Sequence, residues 1–248
     1  MSSSTVVDLR FSDGIAWVTL DGPTTRNALD AAGAAALIEA CDRIDEDGSV
    51  GVAVITGAGA AFCSGADRDV LQRLRTGRAD EAYDGLGELY AAFRRVGQLA
   101  VPTVAAVNGP AVGAGVNLAL ATDLRLFATD ARLISGFSAI GLHPGGGHLH
   151  LLARAGGGSL AAAVGVFAQP IDADTALRSG LAWAVVAADQ LHDVAAQTVA
   201  HLVADPALAR ALAASLHRTV ADDAAWDRAI EIERARQMWS LTRTSPEA

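Results

Sequence analysis

The chain has 248 residues, 51% hydrophobic and 19% charged, enough apolar mass for a sizeable core and too much for a disordered or fibrous protein. Its formal charge of −9, from 28 acids against 19 bases, gives no basic field for nucleic acid or anionic membrane. Every base is an arginine, so lysine Schiff-base chemistry and a P-loop lysine are excluded, whereas carboxylates for acid–base work are plentiful.

In chain order, residues 15–20 alternate in a β-branched run closed by Asp21-Gly22-Pro23, and 52–56 form a second apolar run closed by glycine; both predict strands. Between them an alanine-rich helix is expected over 30–44, with Asp30 as N-cap and Leu29, Leu37, Ile38, Cys41 and Ile44 on one side. A helix over 83–99 precedes strands at 103–107 and 124–128, separated by glycine turns and an apolar helix. The most apolar stretch, 99–122, is broken by Pro102, Asn108, Pro110 and Asn117, and reads as strand, loop and helix rather than a membrane span. After residue 145 helices are expected over 149–155, 160–167, 173–178, 190–204, 206–220 and 224–241. Trp226, Ala229, Ile230, Glu233 and Met238 form a mixed packing face on the last of these. No linker or repeat divides the chain, which reads as an α/β core with a helical C-terminal extension. Two cysteines, Cys41 and Cys63, are too few for a disulfide scaffold, and no signal peptide opens the sequence, which together point to the cytoplasm.

Two glycine-rich junctions carry the chemical interest: Gly57-Ala58-Gly59-Ala60-Ala61-Phe62-Cys63-Ser64-Gly65-Ala66-Asp67 and Val107-Asn108-Gly109-Pro110-Ala111-Val112-Gly113-Ala114-Gly115-Val116-Asn117. Small residues at strand ends let a ligand approach the backbone, and N–H groups opening a helix are unpaired donors for a polarised oxygen.

These two segments, with Arg26-Asn27-Ala28-Leu29 before them and Gly141-Leu142-His143-Pro144-Gly145-Gly146-Gly147 after, run in an order that resembles the enoyl-CoA hydratase/isomerase, or crotonase, superfamily over about residues 6–240. The resemblance implies an α/β spiral of repeated ββα units over 1–195 and a helical oligomerisation region over 196–248, in a homotrimer or homohexamer. It also implies an acyl-CoA or enoyl-CoA thioester as ligand, with coenzyme A entering only as part of the substrate. By position, the peptide N–H groups of Ala66 and Ala114 would hold the thioester carbonyl. Arg26 and Ala28 would lie by the nucleotide, and Ser64, Gly65, Asp67 and Arg68 would line the pantetheine path, with Gly113 and Gly145 at the acyl site.

Hydratases of this family carry one glutamate four residues after the glycine that stands here at 113, and another before the Leu-Gly-x-x-Pro turn. Those positions hold Asn117 and Phe137, neither of which transfers a proton at neutral pH. Each positioned acid or base typically contributes about 10²- to 10⁴-fold, so simple enoyl hydration is not expected. The open readings are an enolate-stabilising lyase or isomerase, a decarboxylase or thioester hydrolase, a non-catalytic acyl-CoA-binding homologue, and a structural subunit paired with an active paralogue. His143 is the replacement acid–base candidate, set against a loop histidine bonded to backbone. His143, His148 and His150 invite a metal reading, but 148 and 150 diverge on a helix and no metal is expected. Asp67 suits a cap, Arg68 a polar acyl contact or an ion pair, Cys63 a buried thiol, and Tyr83 and Tyr90 lie within reach of an acyl pocket.

Overall fold

The computed structural model describes residues 5–220 and 223–243. The chain opens with a hairpin, β1 (Val6–Ser12) and β2 (Ile15–Asp21), paired antiparallel with Ser12 opposite Ile15. Its two-residue turn places Asp13 at φ 53° and Gly14 at φ 76°, the double left-handed conformation that an Asp-Gly pair accepts and that suits strand twist. Asp30 caps α1 (Ala31–Glu46), its Oδ1 accepting the Gly33 N–H at 2.8 Å. β3 (Val52–Gly57) is apolar and pairs parallel with β2, as expected of a strand buried on both faces.

Next come α2 (Arg68–Thr76), α3 (Ala79–Gly97), β4 (Thr103–Val107), β5 (Ala111–Val112) and α4 (Ala114–Ala121). β6 (Leu124–Ala128), β7 (Arg132–Ile134), α5 (His148–Ala161), β8 (Ile171–Asp172), α6 (Ala173–Arg178) and β9 (Ala184–Val186) follow. The chain ends with α7 (Leu191–Val203), α8 (Pro206–Val220) and α9 (Asp223–Leu241).

The main sheet has the order β1-β2-β3-β4-β6-β9, parallel from β2 onward, and a smaller sheet runs β5-β7-β8. The segment after residue 145 is therefore not helical throughout. β9 pairs Leu126 with Ala184 and closes the main sheet, and β8 pairs with β7; strands of two and three residues are too short to show a period. The expected helices over 149–155 and 160–167 are both present, separated by a break at Gly157, whose φ of 82° and ψ of 169° are not helical. Residue 195 falls inside α7, which packs on β3, β4 and β6.

Helix α9 folds back against α3 and α5 within the same chain. The run His148–Val166 has the length and apolarity to cross a membrane. It is nonetheless bent at Gly157, α5 packs against α4 and α9, and its Arg154 donates to the Leu120 carbonyl at 3.0 Å and lies over the Trp226 ring.

Candidate active site

The first glycine turn is held by Asn27 from the Arg26-Asn27-Ala28-Leu29 motif. Fully buried, its amide accepts the Gly22 N–H at 2.9 Å and donates to the carbonyls of Ala58 and Ala61 at 2.9 and 2.8 Å. Buried side-chain bonds of this kind fix a loop because no water can replace them. Leu29 then forms a parallel bridge at Ala66. Its N–H donates to the Gly65 carbonyl at 2.8 Å, and its carbonyl accepts the Asp67 N–H at 2.9 Å. That pattern uses the groups flanking Ala66 and leaves the Ala66 N–H facing the other way.

The second turn is laced to the first. Val112 N–H donates to the Cys63 carbonyl at 2.9 Å, and Cys63 bridges Ala111. A Cβ on Gly65, which sits at φ 96°, would lie 2.7 Å from the Val112 carbonyl oxygen and 3.4 Å from the Ala114 nitrogen. Only glycine lets the two turns approach so closely. Ala114 opens α4, and its N–H is an unpaired first-turn donor. Among the described residues, neither the Ala66 nor the Ala114 N–H meets a partner in the chain.

Both residues line one cavity of about 270 Å³, with Ser64, Gly65, Arg68, Gly113, Asn117, Ser135, Phe137 and Gly145 also in its wall. Leu71, Leu86, Leu89, Phe93 and Leu142 make the remainder largely apolar. Asp67 caps α2, accepting the Asp69 N–H at 2.8 Å, and so aims the helix that carries Arg68 and Leu71. Ser64 and Val112 also line a neighbouring cavity of about 340 Å³ that holds Arg26. Ala28 is buried and outside both linings, its carbonyl taken by the Thr5 hydroxyl at 2.5 Å.

His143 is not in that wall. It lines an adjoining hollow with Trp239 and Arg243, which shares Ile140 and Leu142 with the 270 Å³ cavity, its Nδ1–H donating to the Pro144 carbonyl at 2.7 Å and its backbone N–H to Ser240 Oγ at 2.9 Å. It is thus a loop histidine bonded to backbone, outside the lining that holds Ala66 and Ala114. Tyr83 is half-exposed and donates to Glu231, whereas Tyr90 lines the 270 Å³ cavity and donates to Gln237 Oε1. Cys63 is a buried thiol pushed up to about 12 by desolvation. The three histidines 143, 148 and 150 do not converge, and no cluster suited to a metal occurs among the described residues.

Asn117 and Phe137, where the resemblance implies glutamates in hydratases, both meet the buried His148 imidazole. The Asn117 amide donates to the Gly145 carbonyl at 2.8 Å, which fixes its orientation, so its Oδ1 accepts the His148 Nδ1–H at 2.7 Å. The other imidazole nitrogen, Nε2, consequently accepts the Ser135 hydroxyl at 3.0 Å. Phe137 packs edge to face against that imidazole, with centroids 5.0 Å apart. Burial pushes His148 down to about 3, so the ring is neutral. Glu233 of α9 fixes the start of α5, accepting the N–H groups of His148 and Leu149 at 2.7 and 2.9 Å. Burial pushes its carboxyl up to about 7 against the pull of those N–H groups. Ser135, His148 and the capping role of Glu233 were not legible in the sequence. The histidine spacing drew attention to residue 148, but its partners lie 13 and 31 positions away.

Residues 10–244 match the family described as Enoyl-CoA hydratase/isomerase. Among curated proteins, the chain is 45% identical over 168 residues to the "Probable enoyl-CoA hydratase EchA14" of Mycobacterium tuberculosis, covering 68% of this chain and 64% of that relative's length. It is 32% identical over 194 residues to the "1,2-epoxyphenylacetyl-CoA isomerase" of Escherichia coli, covering 78% and 74%. A crystal structure of an enoyl-CoA hydratase from Mycobacterium avium subsp. paratuberculosis superposes with a TM-score of 0.85 at 29% identity, over 98% of this chain and 97% of that one. The spiral α/β fold is the one that neighbour shares.

Proposed function

Because the chain belongs to the enoyl-CoA hydratase/isomerase family, we propose that it is an enzyme acting on a CoA thioester whose carbonyl oxygen is held by the Ala66 and Ala114 N–H groups. The observation that carries this reading is the pair of unpartnered N–H groups brought by two interlocked glycine turns to the wall of one apolar cavity. Chemistry at a thioester builds negative charge on that oxygen, as an enolate or a tetrahedral species, and each preorganised donor is worth about 10²- to 10³-fold in rate. Backbone donors serve without any particular side chain, which is why alanine suffices at both positions.

Simple hydration is not the reaction we propose. The Asn117 amide is committed on both sides, to Gly145 and His148, and Phe137 is packed on the same imidazole. Neither position supplies a proton or orients a water as a carboxylate would. The acyl group is apolar by the leucine and phenylalanine lining. The pantetheine and nucleotide run past Ser64 toward Arg26, whose guanidinium is the cation available to a phosphate there in a chain without lysine. No cofactor is needed beyond the CoA of the substrate. We also propose a cytoplasmic homotrimer or homohexamer, supported by the exposed Val166, Phe167 and Trp183, at 62, 69 and 70%.

Purified protein is incubated with enoyl, 3-hydroxyacyl, saturated and aryl-acetyl CoA thioesters, read by mass spectrometry for turnover and by calorimetry for binding. Turnover of at least one ester supports the enzyme. Binding without turnover selects a non-catalytic acyl-CoA-binding protein, and absence of binding rejects the site.

A further inference from the structure

The Ser135–His148–Asn117 network has the connectivity of a nucleophilic triad, and it stands in the wall of the proposed thioester site. We infer that Ser135 is an acyl-accepting nucleophile, with His148 as its general base and Asn117 as the positioning residue, so that the protein cleaves acyl-CoA thioesters by way of an acyl-serine. The inference rests on the reading of Ala66 and Ala114 as the carbonyl's donors.

Three observations support it. First, the hydrogen bonds run in the required order and sense. Ser135 Oγ lies 3.0 Å from Nε2 and His148 Nδ1–H lies 2.7 Å from Asn117 Oδ1, within the reach expected of a nucleophile, its base and an orienting group. The tautomer, set by the Asn117 bond to Gly145, leaves the Nε2 lone pair toward the hydroxyl. Second, Ser135 directly follows β7, whose Ile134 pairs with Val112 and accepts the Gly113 N–H at 2.9 Å. The nucleophile and the Ala114 donor therefore leave adjacent parallel strands at the same level, and both line the 270 Å³ cavity. Third, the imidazole is held rather than mobile, with Phe137 against its face and its own backbone N–H on Glu233.

The chemistry closes without any external oxidant or reductant. Ser135 Oγ forms a bond to the thioester carbon as its proton passes to His148 Nε2, and the oxyanion rests on the Ala66 and Ala114 N–H groups. The C–S bond then breaks, and the sulfur of CoA leaves with the proton from Nε2. A water molecule attacks the acyl-serine ester, giving its proton to Nε2, and Ser135 departs by taking that proton back. The products are CoA and a carboxylic acid. Burial keeps the imidazole neutral and available but makes it a weak base, and the amide of Asn117 adds no charge to steady an imidazolium. A thioester, with its good leaving group, is accordingly the suitable acyl donor.

Octanoyl-CoA has no double bond to hydrate or isomerise, so release of CoA from it reports acyl transfer alone. The protein is incubated with octanoyl-CoA, part is quenched in acid for peptide mass spectrometry, and free thiol is followed in the rest; calorimetry on the same protein reports binding. The expected results are an octanoyl mass increment on the peptide containing Ser135 and CoA release that falls by about 10³-fold in Ser135→Ala. Ser135→Cys, nearly isosteric, should carry the increment as a thioester. Release unchanged in a folded Ser135→Ala variant would overturn the inference. Binding of octanoyl-CoA with neither adduct nor release would overturn it while leaving the thioester site intact. Failure to bind at all would overturn both.

Discussion

Replacing Gly65 by alanine tests the interlock on which the two donors depend. The residue sits at φ 96°, where an L side chain costs about 1–2 kcal/mol. Its new Cβ would stand 2.7 Å from the Val112 carbonyl oxygen, so the turns must separate by about 0.7 Å to restore ordinary contact, an overpacking cost of about 1–3 kcal/mol. The expected loss in urea unfolding is therefore about 2–5 kcal/mol. Because Ala114 N lies 3.4 Å from the same Cβ position, that separation moves one N–H relative to the other. Displacements of this order cost about 10²-fold in catalysis when the reacting geometry is preorganised. A variant that lost less than about 1 kcal/mol and turned over CoA thioesters at the parent rate would refute the claim that this close approach sets the donor geometry.

Asn117→Ala leaves the His148 Nδ1–H and the Gly145 carbonyl buried without partners; a loss of about 2–4 kcal/mol in chemical denaturation is expected, and a loss under about 0.5 kcal/mol would count against the network. The Asn117→Glu, Phe137→Glu double variant should gain crotonyl-CoA hydration in the folded fraction, and an unchanged rate there would mean that water is not placed beside these positions. Glu233 is raised to about 7 in the folded chain, so the fold holds a proton that the unfolded chain releases near pH 4.5. Stability relative to Glu233→Gln should fall by about 2–4 kcal/mol as pH rises from about 4.5 to about 7 and then level off, a trend that thermal melts of the pair would reverse or miss if the carboxyl were ionised throughout. His217, raised by its hydrogen bond to Asp123 at 2.9 Å, contributes stability below its unfolded pKa that fades as pH rises through its higher folded value. His217→Gln should therefore cost more at pH 5 than at pH 9, and equal costs would argue against the ion pair.

The parts of the fold with a clear period were legible. Residues 103–107 and 124–128 are strands at the expected bounds, and Asp30 is the expected cap. β1 escaped because its residues are partly exposed without clean alternation, although Asp13-Gly14 was an available hairpin signal. β8 and β9 escaped because their pairing is supplied by distant strands. The glycine turns of the site were legible because close approach leaves a compositional mark. The polar network beneath them was not, because Asn117, Ser135 and His148 come from a helix, a strand end and a second helix, related only by the fold. His143 was the more conspicuous histidine and His148 the better connected one.

Whether Ala66 and Ala114 polarise a thioester carbonyl is tested most directly by isotope-edited infrared spectroscopy of octanoyl-CoA labelled with ¹³C at the carbonyl carbon and bound to the Ser135→Ala variant, in which the thioester stays intact. The bound carbonyl band is expected below its frequency in water, as two fixed donors replace a fluctuating hydration shell. A band at or above the aqueous frequency would place the carbonyl in an apolar setting and contradict it.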